Sequence, residues 1–266
     1  LWDLQGRQIA ELQGHEDWVN SATFSPDGQR ILTASSDKTA RLWDLQGRQI
    51  AELQGHEDWV NSATFSPDGQ RILTASRDET ARLWNLQGWQ IAKFQGHENV
   101  VSSATFSPDG QRILTASPDK TARLWDLQGR QIAELQGHKG WLFSAIFSPD
   151  GQRILTASDD KTARLWDLQG RQIAELGHKG WLFSATFSPD GQRILTASSD
   201  STARLWNLQG REIAKFQGHK NLVISASFSP DGQRILTASS DKTARLWELQ
   251  GREIAKFQGH EGDVIT

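Results

Sequence analysis

A unit of 41 residues repeats along the chain and constrains its fold more than any other feature. The Leu-Trp pair of this unit recurs every 41 residues, apart from one spacing of 40, and a Gly-His pair keeps the same interval. A fixed period between 20 and 50 residues is typical of repeat architectures, in which each unit buries its apolar face against a neighbour. The sequence therefore predicts a single repeat domain over residues 1–266.

Within one unit, four strand-like runs alternate with turn signals. In the first complete unit the runs cover 18–24, 30–35, 39–43 and 48–53, and they are rich in β-branched, aromatic and small residues. Ser-Pro-Asp-Gly at 25–28 separates the first two runs, because Pro presets the backbone of a turn and Gly closes it. Four short antiparallel strands per unit predict an all-β fold.

Several of these strands carry apolar residues on both faces. Ile31 and Leu32 are neighbours and both apolar, and so are Leu42 and Trp43. Because successive side chains of a strand point to opposite faces, such a sheet must be covered on both sides. A ring of radially packed four-stranded sheets supplies this cover and leaves only short edges.

The motifs Gly-His, Ser-Pro-Asp-Gly, Ser-x-Asp and Leu-Trp-Asp, at these spacings, resemble the WD-repeat β-propeller family over the whole chain. The resemblance implies a seven-bladed β-propeller of four-stranded antiparallel blades, since the signature occurs six times complete and once split. Asn85, Asn207 and Glu248 replace the Asp after Trp, which we expect to weaken only a surface turn. Near-identical arrays of this kind resemble the sensor ends of multidomain bacterial signalling proteins.

One of the seven blades is expected to be incomplete. The chain starts within a unit at Leu1 and contains no Met, so we expect it to be part of a longer array. The seventh blade lacks the equivalent of the 20 residues 22–41. If the seven-fold geometry is kept, the Cα atoms of Leu1 and Thr266 should lie roughly 10–20 Å apart.

Each unit also holds a His, a Ser, an Asp and a Trp at fixed positions, which invites comparison with a catalytic triad. The set recurs in every unit, however, whereas a nucleophile needs one activated site. A chain from Trp through Ser and His to Asp also leaves no donor unsatisfied, because the indole N–H only donates and the carboxylate only accepts. The resemblance implies the same structural role. We therefore predict a structural tetrad and no catalytic residue, with this first complete set: His15, Ser35, Asp37 and Trp43.

Other kinds of chemistry have no sequence support. The seven His residues occur one per unit, so they lack metal-ligand spacing, and no phosphate-binding loop or dinucleotide fingerprint is present. A net charge of −3 with interspersed signs offers no surface for nucleic acid. No apolar run approaches the ~18 residues of a membrane span. We expect a monomeric, cytoplasmic protein with no metal, cofactor, nucleic-acid or membrane partner.

Function is expected where the near-identical units differ. They differ three and five residues after the His, and at the residue before the tetrad Asp. The Gly-His loop and the turn before this Asp lie at the same end of a blade, so both sets should meet. In a propeller they would line the rim of the central channel, the face that the family uses for partners.

Trp is enriched in binding hot spots, and a contiguous exposed apolar patch usually marks an interface. We therefore predict that a protein or peptide binds to these rim residues: Trp18, Trp59, Arg77, Trp141, Phe143, Trp181, Phe183 and Leu222. The alternative is that the same side chains only plug the channel.

These observations favour an interaction scaffold or a ligand-sensing module of a larger signalling protein, and not an enzyme. The first alternative is an engineered or recently amplified repeat protein that has no evolved partner. A weaker alternative is a propeller hydrolase or a lectin.

Overall fold

The computed structural model describes residues 1–260 and 262–264. Within these residues every regular element is a β-strand, which confirms the all-β prediction, and no helix has the length and apolarity needed to cross a bilayer. The chain divides into two compact units, residues 1–119 with 123–132 and residues 120–122 with 133–266. A single domain over the whole chain stays a prediction.

Twelve strands form three four-stranded sheets over residues 19–135, and most of these residues belong to the first unit. The first sheet contains β1 Val19–Phe24, β2 Arg30–Ser35, β3 Ala40–Asp44 and β4 Gln49–Leu53. The second contains β5 Val60–Phe65, β6 Arg71–Ser76, β7 Thr80–Asn85 and β8 Gln90–Gln95. The third contains β9 Ser103–Phe106, β10 Arg112–Ala116, β11 Ala122–Asp126 and β12 Gln131–Leu135.

The second unit contains three further sheets of the same kind. The fourth sheet contains β13 Leu142–Phe147, β14 Arg153–Ser158, β15 Thr162–Asp167 and β16 Gln172–Gly177. The fifth contains β17 Leu182–Phe187, β18 Arg193–Ser198, β19 Thr202–Asn207 and β20 Glu212–Gln217. The sixth contains β21 Val223–Phe228, β22 Arg234–Ser239, β23 Thr243–Glu248 and β24 Glu253–Phe257.

Strands that follow each other in the sequence are neighbours in every sheet. In the first sheet all four strands begin and end within one residue of the predicted boundaries. Ile31 lies opposite Trp43, and Leu32 lies opposite Leu42. Apolar pairs therefore face each other on both sides of the sheet, as the sequence pattern requires.

Neighbouring sheets pack face to face within each unit. In the first unit, Leu32, Leu42 and Leu53 of the first sheet form one core with Val60 and Phe65 of the second. The same positions form the core between the fourth and fifth sheets of the second unit. The cover that the sequence predicts for both faces is therefore supplied by neighbouring repeats.

The predicted number of blades is wrong for this structure. Six four-stranded sheets occur among the described residues, and no seventh is formed. Of the split unit, residues 1–12 contribute one isolated bridge, between Trp2 and Gln8. A pair of segments without a further strand lacks the hydrogen bonds and apolar cover that a sheet needs, so it does not become a blade. Thr266 lies outside the described residues, and its separation from Leu1 stays a prediction.

Tight turns bring neighbouring sheets into backbone contact. Gly88, in the turn between β7 and β8, has a φ of 84°, and a Cβ atom there would lie 2.7 Å from the carbonyl oxygen of Glu52 in the first sheet. Gly28, in the turn between β1 and β2, has a φ of 68°, but a Cβ atom there would meet nothing within 4 Å. The two glycines share a left-handed backbone and differ in how closely another sheet approaches.

We expect Gly88→Ala to destabilise the protein more than Gly28→Ala does. Both changes force an L-residue into the left-handed region, at about 1–2 kcal/mol. Gly88→Ala also drives a methyl group against a backbone oxygen, which adds about 1 kcal/mol or more. Urea unfolding of both variants measures the difference. Equal losses would mean that the sheets separate at this turn without cost.

Candidate recognition surface

The residues that resemble catalytic groups form a closed hydrogen-bond chain between strands. In the second sheet the indole Nε1–H of Trp84 donates to Thr74 Oγ1 at 2.9 Å. Thr74 Oγ1 lies 2.7 Å from His56 Nε2, and His56 Nδ1 lies 2.8 Å from Asp78 Oδ2. Asp78 accepts only, so His56 donates from Nδ1 and accepts the Thr74 proton at Nε2. A neutral His56 thus completes this chain of hydrogen bonds.

The linking hydroxyl is that of Thr74, so the predicted role of Ser76 is wrong. Trp84 lies opposite Ile72, which places Thr74 two residues along β6 and Ser76 four residues along it. Each residue of a strand rises about 3.3 Å, so the indole reaches the nearer hydroxyl only. The same Thr accepts from the Trp in every sheet: Thr33, Thr74, Thr115, Thr156, Thr196 and Thr237.

Ser76, at the end of β6, makes hydrogen bonds outside this chain. Its hydroxyl donates to the carbonyl oxygen of Asp58 and accepts from the backbone N–H of Asp78, both at 3.1 Å. It therefore joins the Gly-His loop to the turn that carries the Asp. The backbone N–H of Arg77 adds a second link, to Trp59 O at 2.9 Å.

Burial and hydrogen bonding fix the protonation states in this chain. Burial lowers the pKa of His56 below its usual 6.5, and this effect outweighs the opposing hydrogen bond to Asp78. In the first sheet, burial by itself raises the pKa of Asp37, but hydrogen bonds from Thr39 and His15 outweigh it and lower the pKa to about 2. A neutral His beside an ionised Asp is the state that the donor and acceptor pattern requires.

This arrangement has the geometry of an architectural network. Thr74 is completely buried and His56 is 6% exposed, so no substrate reaches either group. The described residues contain no group of three or more side chains that could hold a metal ion. The network joins the loop, the second strand, the following turn and the third strand of one sheet.

The predicted rim residues lie at the loop ends of their sheets and reach solvent to different degrees. Trp18 is 78% exposed, Trp141 is 57% exposed and Trp181 is 56% exposed. Trp59 is half-buried, as are Phe183 and Leu222, whereas Phe143 is exposed.

The two sets of variable positions are in contact. The guanidinium carbon of Arg77 lies 4.0 Å from the ring centroid of Trp59, which is a cation–π distance. In the first sheet, Asn20 Nδ2 donates to Ser36 Oγ at 3.1 Å. In the second sheet the long Arg77 side chain therefore covers part of the Trp59 ring.

Two of the predicted residues line the same pocket in the second unit. Trp141 and Trp181 border a pocket of about 710 Å³, together with the unpredicted Lys139 and Gly140 and with Asp159. A Cβ atom on Gly140 would overlap a carboxylate oxygen of Asp159, so the absence of a side chain lets the loop approach this acid. Arg164 and Glu175 close one side as an ion pair at 3.1 Å.

The sequence contained a signal for the two residues that we missed. In the first two complete units Glu-Asp follows the His, at 16–17 and 57–58, whereas Lys-Gly follows it at 139–140 and 179–180. Lys and Gly therefore appear together with the Trp and Phe of the same loops. The first two positions after the His thus vary together with positions three and five, on which the prediction rests.

Comparisons with known families agree with this geometry. A family model described as "IFT122 first beta-propeller" matches residues 1–217, and a model described as "WD domain, G-beta repeat" matches residues 210–248. The chain belongs to the WD-repeat β-propeller family. Its members are typically non-enzymatic scaffolds for protein interaction.

Curated WD-repeat relatives match over about one repeat. Nuclear distribution protein nudF 2 of Penicillium rubens is 49% identical over 41 residues, which are 15% of this chain and 9% of that protein. Apoptotic protease-activating factor 1 of Mus musculus is 46% identical over 43 residues, 16% of this chain and 3% of that protein. The matched part is thus a small fraction of each relative.

The departures from the WD-repeat signature leave the turn after the third strand intact. Asp44 Oδ1 accepts from the backbone N–H groups of Gln46 and Arg48, both at 2.9 Å. Asn85 Oδ1 accepts the equivalent pair, from Gln87 at 3.0 Å and Trp89 at 2.9 Å. The ion pair that Asp44 makes with Arg48 has no counterpart in this turn, because Asn85 and Trp89 occupy the two positions.

Proposed function

We propose that this domain is a protein-interaction scaffold or ligand-sensing module whose partner binds at the variable loop ends. The observation that carries the proposal is the exposure of Trp141 and Trp181 beside one pocket. Side chains that only filled a channel would be buried, whereas these are more than half exposed. Large aromatic side chains with an open face supply much of the binding energy at protein interfaces.

The pocket also supports a peptide or protein as the occupant. Charged side chains of both signs line the pocket beside the two Trp rings: Lys120, Lys139, Arg164, Asp159, Asp160 and Glu175. A peptide whose apolar residue packs on the rings and whose polar groups pair with these charges would fit such a lining. The described residues contain no group of three or more side chains that could hold a metal ion in this pocket.

The same proposal extends to the larger protein that we expect to contain this domain. We propose a cytoplasmic signalling protein in which this domain senses or assembles a partner, as expected for near-identical repeat arrays. The location and the monomeric state stay predictions. The alternative, an amplified repeat protein without an evolved partner, rests on the near-identity of the units.

We expect Trp141→Ala and Trp181→Ala each to weaken partner binding by about 1 kcal/mol or more. The measurement selects binders from a random peptide library on the intact protein and determines their affinities by calorimetry. Trp89→Ala removes a more exposed ring in the turn between β7 and β8, and Arg130→Ala removes a surface charge. Both controls should keep the affinity.

If the selection yields no peptide that binds saturably, the result favours the alternative of an amplified repeat protein without an evolved partner. Binders that ignore Trp141 and Trp181 but are lost on Trp89→Ala would place recognition at the outer turns and contradict the proposal. Turnover of a peptide or glycoside by the unmodified protein would support the hydrolase alternative instead.

A further inference from the structure

One variable position carries a cation in the second sheet and an acid in the fourth. The position lies directly before the Asp of the hydrogen-bond chain, and it is Arg77 in the second sheet and Asp159 in the fourth. Both sheets keep the Trp three residues after the His, as Trp59 and Trp141. The second sheet therefore serves as an internal reference for the fourth, in which one charge is reversed.

In the second sheet the protein places its own cation on the aromatic ring. The guanidinium carbon of Arg77 lies 4.0 Å from the ring centroid of Trp59. The negative face of an aromatic ring attracts a cation at this distance, and Trp is the aromatic residue that does so most strongly. The backbone holds the two residues together, because the N–H of Arg77 donates to Trp59 O at 2.9 Å. The loop end of this sheet thus contains a cation site that is already filled.

The fourth sheet keeps the backbone of this arrangement and lacks its cation. The N–H of Asp159 donates to Trp141 O at 3.1 Å, so the acid stands beside the ring as Arg77 stands beside Trp59. The negative face of the ring repels a carboxylate, and Trp141 is 57% exposed. Its ring is therefore open to a cation from another molecule.

The carboxylate of Asp159 can pair with such a cation. Within the described part of the chain it forms no side-chain hydrogen bond and no ion pair, whereas the two other acids of the pocket are paired. Asp160 lies 2.8 Å from Nδ1 of His138, and Glu175 lies 3.1 Å from the guanidinium of Arg164. Asp159 is thus the acid of this pocket that remains for a ligand.

Two lysines restrict which residues can accompany the cation. Lys120 and Lys139 also line the pocket, and neither ammonium group forms an ion pair with a described residue. Because like charges repel, a run of basic residues is disfavoured here, whereas an acidic residue next to the cation would pair with a lysine. The lining therefore fits one cation with an acidic neighbour.

We propose that this pocket binds an Arg side chain of a partner peptide, next to an acidic residue of the same peptide. The guanidinium stacks on Trp141 and pairs with Asp159, and the acidic residue pairs with a lysine of the pocket wall. Arg fits better than Lys, because a planar guanidinium stacks on an aromatic ring and donates two parallel hydrogen bonds to one carboxylate. This inference rests on the proposed function and names the chemistry of the partner.

The test uses labelled heptapeptides in which Arg-Glu is flanked by Gly and Ser residues. Fluorescence anisotropy should show saturable binding to the intact protein. Replacing the Arg of the peptide with citrulline, which keeps the shape and removes the charge, should weaken binding about tenfold or more. Replacing the Glu of the peptide with Lys should weaken it about threefold or more, because the two lysines of the pocket then face a like charge.

Two substitutions of Asp159 separate ionic pairing from apolar contact. Asp159→Asn should weaken binding of the Arg peptide about tenfold and leave the citrulline peptide unchanged. Asp159→Arg should abolish binding, since it rebuilds on Trp141 the arrangement that Arg77 makes on Trp59. Asp167→Asn is the matched control, because it removes a carboxylate of the same sheet at a position where other copies have Asn. It should leave both affinities unchanged.

Equal binding of the Arg and citrulline peptides would overturn the proposal, and so would an affinity for the Arg peptide that Asp159→Asn leaves unchanged. Tighter binding of the peptide with Lys in place of Glu would contradict the role of the two lysines. If the Arg peptide does not bind and peptides from the library still need Trp141 and Trp181, the recognition surface stands and the inferred Arg is wrong. If the library also yields no binder, the proposed function fails together with the inference.

Discussion

Replacing Thr74 with Val is expected to lower the free energy of unfolding by about 2–4 kcal/mol. The change keeps the shape of the side chain and removes one hydroxyl. Two buried groups lose their partner, the indole N–H of Trp84 and Nε2 of His56. Urea unfolding followed by circular dichroism measures the loss.

Thr64→Val is the matched control for this prediction. Thr64 lies in β5, where the one hydrogen bond that its hydroxyl makes to a described residue is to the carbonyl oxygen of Phe65, at 3.5 Å. The same chemical change there should cost less than about 0.5 kcal/mol. Ser76→Ala tests which hydroxyl links the network, because the Trp84 indole N–H should stay protected from exchange in Ser76→Ala and lose protection in Thr74→Val. The reverse pattern would restore the Ser assignment.

Acidification should destabilise the protein in two stages. The first stage begins below about pH 6.5, the usual pKa of His. Burial lowers the pKa of His56, His178 and His219, so below this pH the unfolded chain binds protons that the folded protein does not. Stability rises with pH wherever the unfolded state holds more protons, and it therefore falls as pH drops through this range.

The second stage comes from the buried carboxylates and should be the steeper one. The pKa of Asp37 lies at about 2, below the usual 3.8, and the equivalent Asp residues are lowered in the same direction: Asp78, Asp160, Asp200 and Asp241. Their contribution is complete above about pH 4 and is lost as pH falls toward 2. Each carboxylate that must gain a proton contributes up to about 1.4 kcal/mol per pH unit.

Urea unfolding at pH 7, 5, 4, 3 and 2 checks both stages. Asp160→Asn removes one titrating carboxylate and should reduce the slope between pH 4 and 2, measured against the unmodified protein. A stability that is constant from pH 7 to pH 3 would contradict the proposed protonation states. So would a stability maximum near pH 4, since it would require His residues that are charged in the folded protein.

The local sequence of the repeat determined the order of the four strands in each sheet and the strand boundaries of the first sheet. The four runs of the first unit appear as β1 to β4 within one residue, because the turns carry their own signals and the strands their own alternation. These are local properties of the chain, and every repeat carries similar turn and strand residues. The variable positions after Gly-His were also visible in the sequence, because identical copies make each difference plain.

Only tertiary structure decided which hydroxyl links Trp and His. Thr74 and Ser76 lie on the same face of β6 and have the same hydrogen-bonding groups, so composition cannot separate them. The choice follows from the register between β6 and β7, which places Thr74 within reach of the Trp84 indole. Register is a relation between two strands and is not contained in either one.

The number of blades and the exposure of each copy were likewise decided by tertiary structure. β1 and β5 have the same sequence, yet Phe24 is half exposed and Phe65 is buried. The repeat signature specifies which face of a strand is apolar, and it does so equally for both. Whether that face is covered depends on the neighbouring strands, since apolar burial is a property of the packed surroundings and not of the residue itself.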